Sequence, residues 1–295
     1  MSTLVEILRP DFLLRDALVG SVLVGIACPL VGAYFVLRRM IFLGVALPQL
    51  SAAGIAFAFL AYRLVVGAHE HGAMGERSLA MIGSFGFTLG GLVLLASLER
   101  RGRETIDARI GLTYALAASL TILFLASDPR GDAQMVNLLK GDILATTAAS
   151  LQVVTLVLAT VVVLLFAFRK ELLLVSFDRE LALVFGKRVW LWDGLLYLVM
   201  GVTISLGVTT AGPIVAFGFL VVPPLTARLV TRHMITFSVA ASAFGAVSAF
   251  AGFYLAYRAD LPLGPTQVAF AVALLVVVAC LSMLRSALVR RQATA

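Results

Sequence analysis

Charge is what this 295-residue chain has least of. Asp, Glu, Lys and Arg make up 13% of it, against 61% hydrophobic residues. A soluble domain of this size needs far more charged surface, so that class is excluded, and a mean hydropathy of +1.04 agrees. The apolar runs are continuous rather than alternating, which argues against an outer-membrane barrel. Cysteine is scarce too. Cys28 and Cys280 lie inside apolar runs without partners at metal-ligand spacing, so they read as free, buried thiols and no structural disulfide is expected. Catalytic motifs are missing: there is no HExxH, no GxSxG and no pair of carboxylates within a span, and the chain does not read as an enzyme. A Walker A loop is missing as well, so any ATP-driven work needs another subunit. The net charge of +7 is not a nucleic-acid signal here, because the basic residues sit between apolar runs, where they set membrane orientation.

What the chain does have is long apolar runs. A hydrocarbon core of about 30 Å takes roughly 20 residues of helix, and runs of that length fall near 12–37, 41–66, 78–98, 108–127, 148–168, 191–210, 212–230, 235–257 and 265–284. The expected fold is an all-α polytopic membrane protein of about eight to nine transmembrane helices, one permease domain over 1–295. Thr209, Thr210, Gly212 and Pro213 interrupt the sixth and seventh runs, which makes the seventh a candidate for a broken or re-entrant piece lining a cavity. With the C-terminus inside and the spans alternating, the inner segments collect 16 of the 23 Lys and Arg and the outer ones 7. That bias places the segment around 169–190 in the cytosol and the N-terminus outside. Residues Met1 to Arg15 carry both signs of charge and show no small-residue cleavage site, so they do not read as a removable signal peptide.

The charged island Ser176 to Arg188 stands out between two apolar runs. Phe177, Leu181, Val184 and Phe185 share one face at helical spacing, while Asp178, Arg179 and Lys187 fall elsewhere. Asp178 suits an N-cap, and Gly186 followed by Lys187 and Arg188 suits a C-terminus. Two readings stand at this level: a docking helix for a soluble partner that moves, or a solvated loop resting on lipid headgroups.

Few ionisable groups lie at membrane depth. Such residues usually mark a transport path, and here only Asp193 sits at the start of a span. The polar groups available at depth are Gln49, Ser51, Thr203, Ser205, Thr209, Thr210 and Gln267. Pro29, Pro48, Pro213, Pro223 and Pro224 free backbone carbonyls that could line a cavity or simply kink helices for packing. His69 and His71 flank Glu70 in an outer loop, where they share a face in extended backbone and could touch a metal; solvated loop histidines are the commoner case. His233, in an arginine-rich inner loop, reads as an interface residue.

Four segments, in order along most of the chain, resemble a known family. They are Gly25 to Gly44 with its exit through Arg38 and Arg39, the island with Asp178, Glu180, Ala182 and Gly186, the run Ala211 to Leu229, and Asp260-Leu-Pro-Leu-Gly-Pro-Thr-Gln-Val268. Together they are similar to the membrane permease subunit of the zinc, manganese and iron branch of ABC importers. The resemblance implies a bacterial inner-membrane protein that forms a pore as a homodimer or pseudo-homodimer. A cytosolic P-loop ATPase would carry the ATP-Mg, and this chain would bind no cofactor of its own. Residues 176–188 would lie in a cleft of that ATPase, with Leu181, Val184 and Phe185 as docking face, Asp178, Glu180, Lys187 and Arg188 as polar rim, and Gly186 closing the helix. An extracytoplasmic solute-binding protein would dock on the outer loops, including 67–77 and 128–147.

One stretch departs from the family pattern. After Leu43-Gly44 the family continues with an Asp and, four residues on, a His that face the translocation path; aligned here, Val45 and Gln49 replace them. A carboxylate and an imidazole hold a stripped divalent cation, which a valine and an amide do poorly. The expected path residues are Val45, Pro48, Gln49, Ser51, Thr209, Thr210 and Pro213, and the cargo is a divalent metal, a metal chelate or another solute. The alternatives from other classes are an ATP-independent secondary transporter or channel, and a non-transporting membrane scaffold. Against the first stands the scarcity of the buried carboxylates that ion-coupled carriers use.

Overall fold

The computed structural model describes residues 14–66, 76–99, 106–127 and 148–293. Eleven helices account for nearly all of them: α1 (Arg15–Leu37), α2 (Leu43–Val66), α3 (Glu76–Glu99), α4 (Ile106–Ala126), α5 (Ala148–Ala167), α6 (Arg169–Phe177), α7 (Arg179–Val184), α8 (Val189–Ala211), α9 (Pro213–Val230), α10 (Met234–Ala259) and α11 (Leu263–Ala293). Eight are long and apolar enough to cross a membrane by themselves. A ninth apolar stretch, α5 and α6 taken together, is bent by 68° at their junction, the shape of a broken span or a re-entrant loop. This agrees with the apolar runs, because in hydrocarbon every backbone amide has to be satisfied within its own helix.

The seventh run is not a broken piece. The helix break falls between elements, at Gly212 with φ of 86°, and Pro213 starts an uninterrupted 18-residue helix. Proline is at home there, since the first helical position has no intrahelical use for its amide. Pro29, Pro48, Pro223 and Pro224 all lie inside helices and are buried.

Two groups of helices are joined by α8. In one, α2 packs on α3 and α4; in the other, α1 packs on α9 and α10, and α11 covers α9 and α10. The centre is α1, whose spanning window is 78% buried, followed by α2 and α8. At the rim, α11 is only 11% buried, and its exposed side chains (Val272, Val276, Val277, Leu281) are apolar. Lipid solvates such a face as well as protein does, so it needs no cover. Cys28 is buried as expected, but Cys280 is exposed on this same face; an apolar run does not reveal which of its sides is left open.

Because lipid tails compete equally for apolar side chains, close backbone approach has to hold the helices together. Glycine supplies it at three crossings. Gly25 meets Gly245 between α1 and α10, Gly54 meets Gly83 between α2 and α3, and Gly32 lies against the backbone of Leu220 between α1 and α9. The α1–α2 turn closes with Arg39 in the left-handed region (φ 57°), where its amide and that of Met40 bond back to Val36 and Phe35. That is the Schellman pattern, with arginine where glycine is usual.

Two stability effects follow. A methyl group on Gly32 would overlap the Leu220 carbonyl oxygen, so Gly32→Ala should lower stability by about 1–3 kcal/mol, read as a drop in thermal midpoint in detergent. Arg39→Gly should act the other way, relieving about 1 kcal/mol of left-handed strain, with a rise in midpoint in the same assay.

Candidate functional site

At the end of α5 the chain bends and runs through two short helices before entering α8. The local sequence dictates this shape. Asp178 has extended backbone (φ −144°, ψ 96°) and its carboxylate accepts the Leu181 amide at 2.9 Å, which starts α7. Gly186 (φ 68°) ends it. The Gly186 amide bonds to Leu183 O (2.9 Å) and the Lys187 amide to Ala182 O (3.0 Å), a full Schellman closure. The N-cap and C-terminal signals in the island are therefore both used.

This six-residue helix hardly touches the rest of the protein through apolar contact. Only Ala182 is buried, in a small cluster with Val175 and Val189. Phe177, Leu181, Val184 and Phe185 are all exposed, Val184 by 81%. Leu183, which helical spacing places apart from them, is exposed as well at 60%. The sequence reading missed it because it assumed one buried and one open face, whereas α7 stands proud of the spans.

Beneath α7 lies a cluster of charges. Arg38, at the C-cap of α1, donates from Nη2 to Asp193 Oδ1 at 2.8 Å and from Nε to Ser176 Oγ at 3.0 Å. Its guanidinium also lies 5.9 Å from the centre of the Tyr197 ring. The other Asp193 oxygen, Oδ2, is 3.0 Å from Arg179 Nη2 at the start of α7. Lys187 pairs with Glu171 of α6 at 3.7 Å. Arg38 and Asp193 are nearly enclosed, at 10% and 12% side-chain exposure. Contact among Arg38, Ser176, Arg179 and Asp193 puts the ends of α1, α6, α7 and α8 on one side of the membrane, as the positive-charge bias requires. Sequence reading recorded Arg38 and Asp193 only as an inner cation and a span-edge acid, since nothing in their spacing says that residues 155 apart meet.

A second polar cluster lies in the interior. Ser51 of α2 and Ser84 of α3 share a hydrogen bond of 2.6 Å, and Ser84 Oγ is 3.4 Å from the Ser205 carbonyl of α8. Ser205 Oγ and, one turn beyond Ser84, Thr88 Oγ1 are buried with no hydrogen-bond partner among the described residues. Ser84 and Thr88 were not singled out from sequence, although their four-residue spacing puts them on one helix face. The other expected path residues do not join this cluster. Val45 and Gln49 are half-buried on α2 beside buried Pro48. At the far end of α8, Thr209 and Thr210 turn their hydroxyls back to their own helix, with bonds to Ser205 O and Leu206 O, next to buried Pro213. Among the described residues no three His, Cys, Asp or Glu side chains come together as a metal-binding group. His69 and His71 lie outside the described residues, as do most of the two outer loops.

Comparison with known proteins places this architecture. The manganese transport system membrane protein MntC of Listeria monocytogenes is 29% identical over 256 residues, covering 86% of this chain and 85% of its own. A probable iron transport system membrane protein of Haemophilus influenzae is 27% identical over 261 residues, covering 88% and 86%. Among solved structures, PsaBC from Streptococcus pneumoniae in complex with Fab superposes with a TM-score of 0.79 at 23% identity over 94% of both chains. An inward-facing putative metal-chelate type ABC transporter gives 0.70 at 16% identity, over 90% of this chain and 86% of that one; these two likenesses concern the fold. The model of the ABC 3 transport family matches residues 11–282, and the chain belongs to that family.

Proposed function

We propose that this chain is the membrane-spanning subunit of an ATP-driven importer in the bacterial inner membrane, carrying a divalent metal ion or a metal chelate. The observation that carries the reading is α7 itself: a capped, closed helix at the cytosolic face whose Leu181, Leu183, Val184 and Phe185 are left open. A bare apolar surface in water is costly and marks a place for a partner. The partner is a P-loop ATPase that binds ATP-Mg, with Leu181, Val184 and Phe185 entering its cleft and Asp178, Glu180, Lys187 and Arg188 around them. Two copies of the chain, or one and a similar partner, form the pore. A solute-binding protein delivers cargo from outside, as the family membership and the manganese and iron names of the relatives support.

Along the path, Val45, Pro48, Gln49, Ser51, Thr209, Thr210 and Pro213 supply hydroxyls, an amide and backbone carbonyls rather than charged ligands. Such a lining passes a cargo that keeps its own ligands, or that is held only briefly, more readily than it strips and binds a bare cation. Ser205 Oγ, buried without a partner beside the Ser51–Ser84 pair, offers one further donor.

Replacing Val184 and Phe185 together by Asp tests the docking face. Both side chains are exposed, so the thermal midpoint should stay put, while capture of the ATPase in a detergent pull-down weakens by at least about tenfold and ATP hydrolysis no longer drives uptake. Undiminished capture and coupling would remove α7 as the docking element. Metal analysis of the binding protein captured by the unaltered chain identifies the cargo.

A further inference from the structure

We propose that Asp193 is the joint through which movement of α7 reaches the pore helices, with Arg179 as its releasable arm and Arg38 as its fixed one. This rests on the reading that α7 docks on the ATPase.

Asp193 spends its two oxygens on two arginines from different elements, Arg38 of the α1 terminus and Arg179 of α7. The two arms differ in kind. Arg38 is almost enclosed and is also held by Ser176 and stacked near Tyr197. A charge pair removed from water in this way is poorly screened and stays made as long as the fold does. Arg179 is 56% exposed along its side chain, so its bond to Oδ2 forms and breaks at little cost. One carboxylate therefore combines a permanent α1–α8 tie with a detachable strap to α7.

The strap adds to slight links: Ala182 packs with Val189 at the start of α8, and residues 185–188 join α7 to α8 along the chain. The other apolar side chains of α7 point away from the spans, and its only buried residue is that alanine. The Lys187–Glu171 pair stays within the cytosolic segment, joining α7 to α6. The Arg179–Asp193 pair leaves that segment, entering α8 directly and, through Arg38, the terminus of α1. These are the helices that ATPase closure has to move: α1 is the most buried span and leads through the tight 38–42 turn into α2, which carries Pro48 and Gln49. Arg179 and Asp193 are positioning residues; neither needs to touch cargo or nucleotide.

The test is hydrogen exchange on the chain bound to its native ATPase, with and without ATP-vanadate trapping, and on the chain alone. In the chain alone, Arg179→Gln should raise amide exchange over 179–186 by about two- to fivefold, while Arg179→Lys, which keeps a cation within reach of Oδ2, should not. In the complex, trapping should alter exchange over both 179–186 and 38–46 in the unaltered protein. Arg179→Gln and Asp193→Asn should each keep the first response and lose the second, and the double variant should lose no more than either alone. Arg179→Gln leaves the buried Arg38–Asp193 pair in place and so keeps the test valid should Asp193→Asn fold poorly.

An undiminished 38–46 response in Arg179→Gln would overturn the joint, as would unchanged exchange over 179–186 in the chain alone. Loss of the ATPase itself from Arg179→Gln would also overturn it, reassigning Arg179 to docking. If trapping moves neither segment in the unaltered complex, the docking reading fails, and the chain-alone exchange then decides whether the strap exists.

Discussion

In hydrocarbon an unpaired charge has neither water nor counter-ion, and its cost is carried by the whole fold. That constraint governs where this protein can keep its few ionisable groups. They collect at the ends of helices: Asp16 and Asp107 lie in the first turns of α1 and α4, and Asp193, near the start of α8, is matched on both oxygens. Apart from the enclosed Arg38–Asp193 pair between α1 and α8, the spans have little electrostatic glue. They are assembled by close approach, which is why glycines face one another or a backbone at the α1–α10, α2–α3 and α1–α9 crossings. The charged and the close-packed parts meet at the C-terminal end of α1, where one helix is at once the most buried in the bundle and the bearer of Arg38.

This arrangement would give different mechanical character to the two ends of the proposed coupling route. A helix wedged by backbone contact at Gly25 and Gly32 tilts or shifts as a unit, because packed interiors pass on displacement instead of absorbing it. By contrast, α7 is one and a half turns long, capped at both ends and nearly free of apolar contact with the spans. Its ends are closed by caps and only Ala182 is buried. A stiff element on a soft mount can be gripped by a partner without disturbing the bundle until the mount is loaded, and the mount is made of ion pairs whose strength depends on exposure.

How much of this could be read from the sequence depends on range. The spans were legible because a run of about 20 apolar residues has a single solution in a bilayer. The cap at Asp178 and the closure at Gly186 were legible because each acts within three or four residues of itself. What could not be read was everything that joins distant residues. Arg38 and Asp193 carry no mark of their partnership, Ser84 and Thr88 look like ordinary small polar residues in an apolar run, and Cys280 differs from Cys28 only in which side of its helix meets lipid. The interruption at Thr209, Thr210, Gly212 and Pro213 was placed correctly between the sixth and seventh runs, but the expectation that the seventh is a broken or re-entrant piece fails, because Pro213 opens a continuous helix.

If the proposed path residues line the pore, their neutrality has a physical consequence for how such a machine discriminates. A carboxylate–imidazole pair selects by stripping and holding a cation, and pays for tight binding with slow release. Hydroxyls, an amide and proline-freed carbonyls bind weakly and with little preference among hard cations. Selection then has to be made elsewhere, before the cargo reaches the membrane, and the pore has to be kept from leaking by conformation alone. In that design the fidelity of the coupling route is worth more than the affinity of the path. On the proposal made for it, Asp193 would then contribute to specificity without touching cargo, by tying movement of α1 and α2 to that of α7.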